Sequence, residues 1–394
     1  MPEFARRMEH VTGSAIRELF KLLADPGIIS LGGGNPARES FPVEELKEII
    51  FELMTESGVN LLQYGSTEGY MPLREAYLER IAKPKGIEGD IQNVLTLTGS
   101  MQGLDLLCKV FLNPGDAVLV ESPTFLGALQ AFTVYQAELV PVNMDDEGII
   151  IDHMEEMIIK HHPKLFYCIP TFQNPTGKTL RAKRREQLVR LAEKHDLIII
   201  EDDPYCDLRY KGDPVPPIKK FDEEERVVML NSFSKIISPG IRVGCALGKK
   251  EIIRKMSVAK QCSDTHTPNL TQAAVAEFLS RGLLPGHLKR ILPYYAERLA
   301  AMLDSMDECF PESCRYTRPE GGLFVWGELE DGINVTELFK IAATELKVAF
   351  IPGEQFFTCP EMGKNTFRFN FSSENRKNIE SAIRKLGALF RQYA

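Results

Sequence analysis

Lys235 is the residue of this sequence best placed for covalent chemistry. It ends the run Asn231-Ser232-Phe233-Ser234-Lys235 at the close of an apolar strand pattern, with Ser238-Pro239-Gly240 and then Arg242 beyond it. An amine attacks a carbonyl to form an imine only after losing its proton, and burial beside other cations lowers its pKa. The Ser232 and Ser234 hydroxyls and the forked Arg242 guanidinium supply donors for a phosphate beside that amine. Taken alone, a lysine at a strand end is usually a surface residue, so the motif needs company.

Four other segments supply it. Glu201-Asp202-Asp203-Pro204-Tyr205 closes a second apolar strand pattern, where a carboxylate is costly unless paired. A protonated pyridine nitrogen would pair with Asp202, and Tyr205 could reach a phenolic oxygen of the same ring. The plainer alternative is acids capping a loop. Thr98-Gly99-Ser100-Met101-Gln102-Gly103 is a strand-to-helix turn. Its N–H groups and the Ser100 hydroxyl suit a phosphate, against the competing reading of an ordinary N-cap. Its spacing is not that of the dinucleotide fingerprint. In Phe172-Gln173-Asn174-Pro175-Thr176-Gly177 the Asn174 amide can donate to a ring oxygen, and in Pro123-Thr124-Phe125 an aromatic ring can stack on a heterocycle. All five lie at the carboxyl ends of strand patterns, where open α/β sheets bind ligands.

The elements that must position them alternate from about residue 94 to 248. Strand patterns cover Val94–Thr98, Ala117–Glu121, Leu139–Asn143, Leu165–Ile169, Leu197–Glu201, Val227–Asn231 and Val243–Leu247. Amphipathic stretches such as Gln102–Leu112 and Ala182–His195 lie between them. This predicts an α/β fold with a mostly parallel seven-stranded sheet. Beyond about 285 the pattern becomes α+β: a helix over Leu288–Met306, strands within Arg315–Glu328, Val348–Ile351 and Phe367–Phe371, and a terminal helix near Asn375–Tyr393. The division expected is an N-terminal arm at 1–45, which shares in the small domain and packs across the cleft, a large domain at 46–284 and a small C-terminal domain at 285–394.

Bulk properties narrow the class. In 394 residues, 44% are apolar and 26% charged, as in ordinary globular proteins. The net charge of −8 argues against a nucleic-acid surface. Eight Cys without a CxxC pair, several in apolar runs, read as reduced core thiols and not as a disulfide framework or zinc site. His161-His162-Pro163 reads as a helix end, Asp145-Asp146-Glu147-Gly148 as a solvated turn, and no metal site is expected. The first residues carry charges throughout, without the apolar core of a secretory leader, and no apolar run is long enough to span a bilayer. A cytoplasmic protein is expected.

With these motifs together the chain resembles the fold type I aminotransferases, class I/II, and among them the 2-aminoadipate aminotransferase and kynurenine aminotransferase II group. Besides the segments above, Ser14-Ala15-Ile16-Arg17-Glu18, Gln63-Tyr64-Gly65, Thr67-Glu68-Gly69, Gly321-Gly322 and Arg368-Phe369-Asn370-Phe371-Ser372 carry the likeness, which spans essentially the whole chain. The resemblance implies pyridoxal 5′-phosphate held as a Schiff base on Lys235, Asp202 on the pyridinium, and Asn174 and Tyr205 on the ring oxygen. It implies phosphate contacts from the Gly99-Ser100-Met101 turn, Ser232, Ser234 and Arg242, and from Tyr64 of a second subunit in a homodimer with shared sites. Arg368 would bind the substrate α-carboxylate, Gly34 would line the substrate side, and Arg17 is where the group reads an acidic side chain.

Met101 stands where the group usually has Gln, and Phe125 where Tyr is usual. The activity implied is ping-pong transamination from 2-aminoadipate, an aromatic or a branched-chain amino acid to 2-oxoglutarate. The alternatives are a β-eliminating lyase on the same fold or a non-catalytic effector-binding module. Related transcription regulators carry a winged-helix domain ahead of this fold, and no such segment is read here.

Overall fold

The computed structural model describes residues 3–8 and 27–394. Its centre is a sheet with strand order β2-β9-β8-β7-β6-β3-β4-β5. These strands are β2 (Val94–Leu97), β3 (Ala117–Ser122), β4 (Glu138–Asp145), β5 (Gly148–Ile149), β6 (Leu165–Cys168), β7 (Ile198–Asp203), β8 (Val227–Ser232) and β9 (Gly244–Leu247), while β1 (Ile29–Ser30) belongs elsewhere. Neighbours from β4 through β3, β6 and β7 to β8 pair in parallel, and β9 runs antiparallel to β8 and β2. The seven expected strands are all present. The eighth, β5, is a two-residue return of β4, too short to give a sequence period of its own.

The central strands are buried on both faces, which explains the unbroken apolar run Ile198-Ile199-Ile200. Alternate residues divide between two cores: Tyr167, Ile198 and Ile200 face one, Phe166, Cys168 and Ile199 the other. Eleven α-helices cover the described residues: α1 (Val43–Leu61), α2 (Met71–Tyr77), α3 (Ser100–Phe111), α4 (Leu126–Val134), α5 (Ile151–His161), α6 (Ala182–His195), α7 (Lys250–Gln261), α8 (Asn269–Ser280), α9 (Leu283–Cys309), α10 (Val335–Thr344) and α11 (Arg376–Phe390). The bounds of α6 coincide with its amphipathic pattern, and the helix stops where Asp196 turns left-handed at φ 54°.

The C-terminal part is an α+β unit. The antiparallel sheet β10-β11-β14-β13 is built from β10 (Arg315–Tyr316), β11 (Phe324–Glu328), β13 (Ile351–Pro352) and β14 (Thr366–Asn370), with Phe390 of α11 packed on Phe367 of β14 and α9 packed on α11. The single strand expected over Val348–Ile351 is instead two. β12 (Val348–Ala349) pairs in parallel with β1, and β13 pairs with β14, with fully buried Phe350 between them. An apolar run shows that such a segment is buried, but not which neighbour each half will meet. The β1 pairing fixes the start of the Gly32-Gly33-Gly34 run against the C-terminal unit, since Asn370 N–H also donates to the Leu31 carbonyl at 2.8 Å. Among the described residues no helix is long and apolar enough to cross a membrane.

Candidate active site

Parallel strands point their carboxyl ends the same way, so the segments after β2, β3, β6, β7 and β8 gather on one edge of the sheet. They enclose a cavity of about 290 Å3, closed on its far side by Phe324 and Arg368 of the C-terminal sheet and by Gly32 and Gly34. Gly34, Gly99, Ser100, Met101, Phe125, Asn174, Asp202, Tyr205, Ser232, Ser234, Lys235, Arg242 and Arg368 all line it. The sequence had scattered them over more than 300 positions. Tyr64 does not line this cavity: it is 82% exposed, with its ring edge-on to His266 at 5.8 Å. Arg17 lies outside the described residues.

One end of the cavity is shaped for an anion. Gly99 caps α3 at φ 87°, and a Cβ there would fall 2.6 Å from Arg242 Nη2, so only glycine lets the guanidinium lie against the turn. Arg242 Nη2 in turn donates to the Thr98 carbonyl at 3.1 Å. The Ser232 and Ser234 hydroxyls meet at 2.9 Å on the opposite side. The N-terminal N–H groups of α3 have no partners within the helix and lie at its positive end.

The middle of the cavity holds the acid and the amine. Asp202 Oδ2 accepts from the Tyr167 hydroxyl at 2.8 Å, whereas its buried Oδ1 has no hydrogen-bond partner among the described residues. Burial, with Asp203 adding to it, pushes the Asp202 carboxyl up to about 7 against the opposing Tyr167 and Ser100 hydroxyls. Lys235 Nζ donates to the Gly34 carbonyl at 2.7 Å. Its ammonium is brought down to about 8 by burial and by the Arg368 and Arg242 cations. An amine near 8 is available both as base and as acid around neutrality.

At the other end Arg368 is buried without a carboxylate partner among the described residues. Its Nη1 donates to Asn174 Oδ1 at 2.8 Å and its Nη2 to the Gly32 carbonyl at 2.6 Å, while Nε is unpartnered. The guanidinium lies 4.3 Å from the Phe324 ring centre and 5.0 Å from that of Phe356. Burial lowers its pKa to about 10, so it stays a cation with neutral ligands. The Tyr205 phenol is pushed up by burial, opposed by Arg368 and the Asn174 side chain, and is therefore a neutral hydroxyl able to donate.

The sequence reading missed Tyr167 and Phe324. Tyr167 sat in a run read as apolar core, and its partner Asp202 is 35 positions away. The one available signal was a phenol in a strand with no polar alternation, which implies a buried partner somewhere.

Known proteins resemble this chain along its length. The family model for aminotransferase class I and II matches residues 26–386. Aromatic-amino-acid aminotransferase 1 of Thermococcus litoralis is 42% identical over 99% of this chain and 94% of its own length. 2-Aminoadipate transaminase of Thermus thermophilus is 40% identical over 98% of this chain and 95% of its own. The crystal structure of α-aminoadipate aminotransferase from Thermus thermophilus, complexed with N-(5′-phosphopyridoxyl)-L-leucine, superposes with a TM-score of 0.90. It has 38% identity and covers 99% of this chain and 97% of that one. A cavity with an anion cradle, a depressed lysine and an unpaired acid, found on a chain matched from end to end by such enzymes, places this protein among the class I and II aminotransferases as a pyridoxal-phosphate-dependent transaminase.

Proposed function

We propose that Lys235, Asp202 and Arg368 divide the work of one transamination site, and that the unpartnered Asp202 Oδ1 is the observation that carries this reading. A buried carboxylate oxygen without a donor fits a ring N–H cation, and the Gly99 turn fits a phosphate at the far end of the same ring. Backbone N–H groups at Ser100 and Met101, with Ser232, Ser234 and Arg242, would hold the phosphate. Phe125 would stack on the ring, and Asn174 and Tyr205 would donate to its phenolic oxygen. When bound, the cofactor supplies the electron sink that weakens the substrate Cα–H bond.

The residues of the chain do the rest. Arg368 takes the α-carboxylate through its free Nε edge, and Gly34 leaves room beside it. Lys235 Nζ would accept the α-proton and return a proton on the way to product. Asp202 holds the ring proton in place throughout. The cycle is ping-pong, with 2-oxoglutarate as amino acceptor and a 2-aminoadipate, aromatic or branched-chain donor; the relatives' names carry the first two of these donors. Arg17 is the proposed reader of an acidic side chain.

The same reading includes a homodimer in which Tyr64 serves the neighbouring site. Exposed Phe51, Val59 and Leu62 on and after α1, beside Tyr64, favour such a contact. It also includes cytoplasmic residence, in keeping with eight free cysteines, and a division into large (46–284) and small (285–394) domains meeting at the cavity.

A panel of amino acids, each mixed with the holoenzyme and followed by cofactor absorbance, tests the reading. One donor class should convert the cofactor stoichiometrically, and 2-oxoglutarate should restore it with glutamate as product. Pyruvate and ammonia from a cysteine-like substrate would point to a lyase instead. Lys235→Ala should lower the rate by about 10^2- to 10^4-fold.

A further inference from the structure

Tyr167 is a fully buried polar group behind the cavity. It lies at 0% exposure in the middle of β6, its ring edge-on to Phe132 of α4 at 5.9 Å, and the one hydrogen bond of its hydroxyl goes to Asp202 Oδ2 at 2.8 Å. A rigid donor on one carboxylate oxygen does two things. It fixes the rotation of the carboxyl so that the other oxygen, Oδ1, keeps its place in the cavity, and it favours the ionised form over the neutral one.

We propose that Tyr167 is a positioning residue that acts through Asp202, aiming Oδ1 at the ring nitrogen and keeping the carboxyl ionised in the working pH range. The proposal rests on the placement of the ring nitrogen against Asp202 given above.

The surroundings of Asp202 show why a donor is needed there. Asp203 follows it on β7, Glu121 approaches from the end of β3, Cys168 follows Tyr167 on β6, and Tyr205 lies just downstream. All are anionic or become so on losing a proton. Against them stand the Lys235 ammonium and the Tyr167 and Ser100 hydroxyls. Burial already carries the Asp202 carboxyl up to about 7 with Tyr167 in place. Without the phenol it moves higher, into the range where a neutral acid competes with the ionised form that binds a pyridinium.

Tyr167→Phe keeps the ring against Phe132 and removes only the donor. The acid limb of the kcat/KM profile should then move up by about one to two pH units, the shift equivalent to losing a hydrogen bond to a charged group. Equilibrium binding gives a readout apart from turnover. The full-length cofactor-free chain is titrated with pyridoxal 5′-phosphate and with its 1-deaza analogue, which has C–H in place of the ring nitrogen. Tyr167→Phe should weaken the first by about tenfold or more and leave the second unchanged. In an Asp202→Ala background the further change Tyr167→Phe should have no effect on either.

Equal weakening of both ligands by Tyr167→Phe, an unmoved acid limb, or a persistent effect in the Asp202→Ala background would each overturn the proposal. Asp202→Ala alone separates the two levels of the argument. If it fails to discriminate the two ligands, the ring-nitrogen placement itself is wrong; if it discriminates and Tyr167→Phe does not, only the role of Tyr167 is.

Discussion

Asp202 and Arg368 line the same cavity but reach it from different sheets, and each is left unpaired in a different way. Around Asp202 the large sheet gathers buried acids. Burial pushes Glu121 up to about 8, Glu201 to about 7 and Asp202 to about 7. Their donors are mostly neutral: the Ile169 N–H and Gln173 amide for Glu121, the Ile218 and Lys219 N–H groups for Glu201, and the Tyr167 phenol for Asp202. On the C-terminal sheet the buried cation, Arg368, is held by neutral oxygens and ring faces, while Arg315 on β10 is exposed. Direct pairing of the two would leave neither free for a ligand, and a buried ion pair gains little over its desolvation cost. On the reading proposed above, keeping them at separate ends leaves Asp202 for a ring cation and Arg368 for a carboxylate, with the Lys235 amine between. Binding strength in such a site comes from charges that the fold deliberately leaves without counter-ions.

Of substitutions at the two ends of the cavity, the largest effect should follow from removing the acid. Asp202→Ala is expected to lower kcat by about 10^2- to 10^3-fold, in line with the loss of one preorganised electrostatic group, measured by stopped-flow half-reactions. Arg368→Lys should instead raise KM for the amino acid by roughly thirtyfold, about 2 kcal/mol for a lost charged hydrogen-bond fork, with cofactor affinity nearly unchanged. If Arg368→Lys released the cofactor as readily as Asp202→Ala, the division between the two ends would fail. Phe125→Leu should be milder, weakening cofactor binding by roughly fivefold, the equivalent of about 1 kcal/mol of ring stacking, as read by equilibrium dialysis.

The smallest effect concerns stability. The carboxyl of Glu121 is raised in the fold to about 8 from an ordinary 4.5. Between those values the native state keeps a proton that the unfolded chain has lost, so stability falls as pH rises through this window. Glu121→Gln, a neutral isostere of the protonated acid, removes that part of the fall. The melting temperature of the variant relative to the original should therefore gain roughly 2 °C on going from pH 5 to pH 8. An unchanged difference would mean that Glu121 is ionised in the fold, and the acid-rich end would be less starved of cations than its geometry indicates.

Much of this was legible before any coordinates. The apolar runs and the amphipathic period of α6 located the strands of the large sheet and one helix to the residue. Buried parallel strands must be uniformly apolar, and helices that cover them must be two-faced, so composition along the chain records the architecture. That Lys235, Asp202 and Asn174 would meet at the cavity was legible because polar residues at the ends of such strands interrupt an otherwise apolar pattern. Pairings over long separations left no comparable trace. That Val348–Ala349 joins Ile29–Ser30 while Ile351–Pro352 joins β14, that Tyr167 donates to Asp202, and that Arg368 rests on the Gly32 carbonyl were decided only when the sheets packed. Local sequence fixes which groups are buried, because burial follows from side-chain hydrophobicity and period. Which buried group finds which partner depends on register and crossing between distant segments, and that is a property of the packed chain alone.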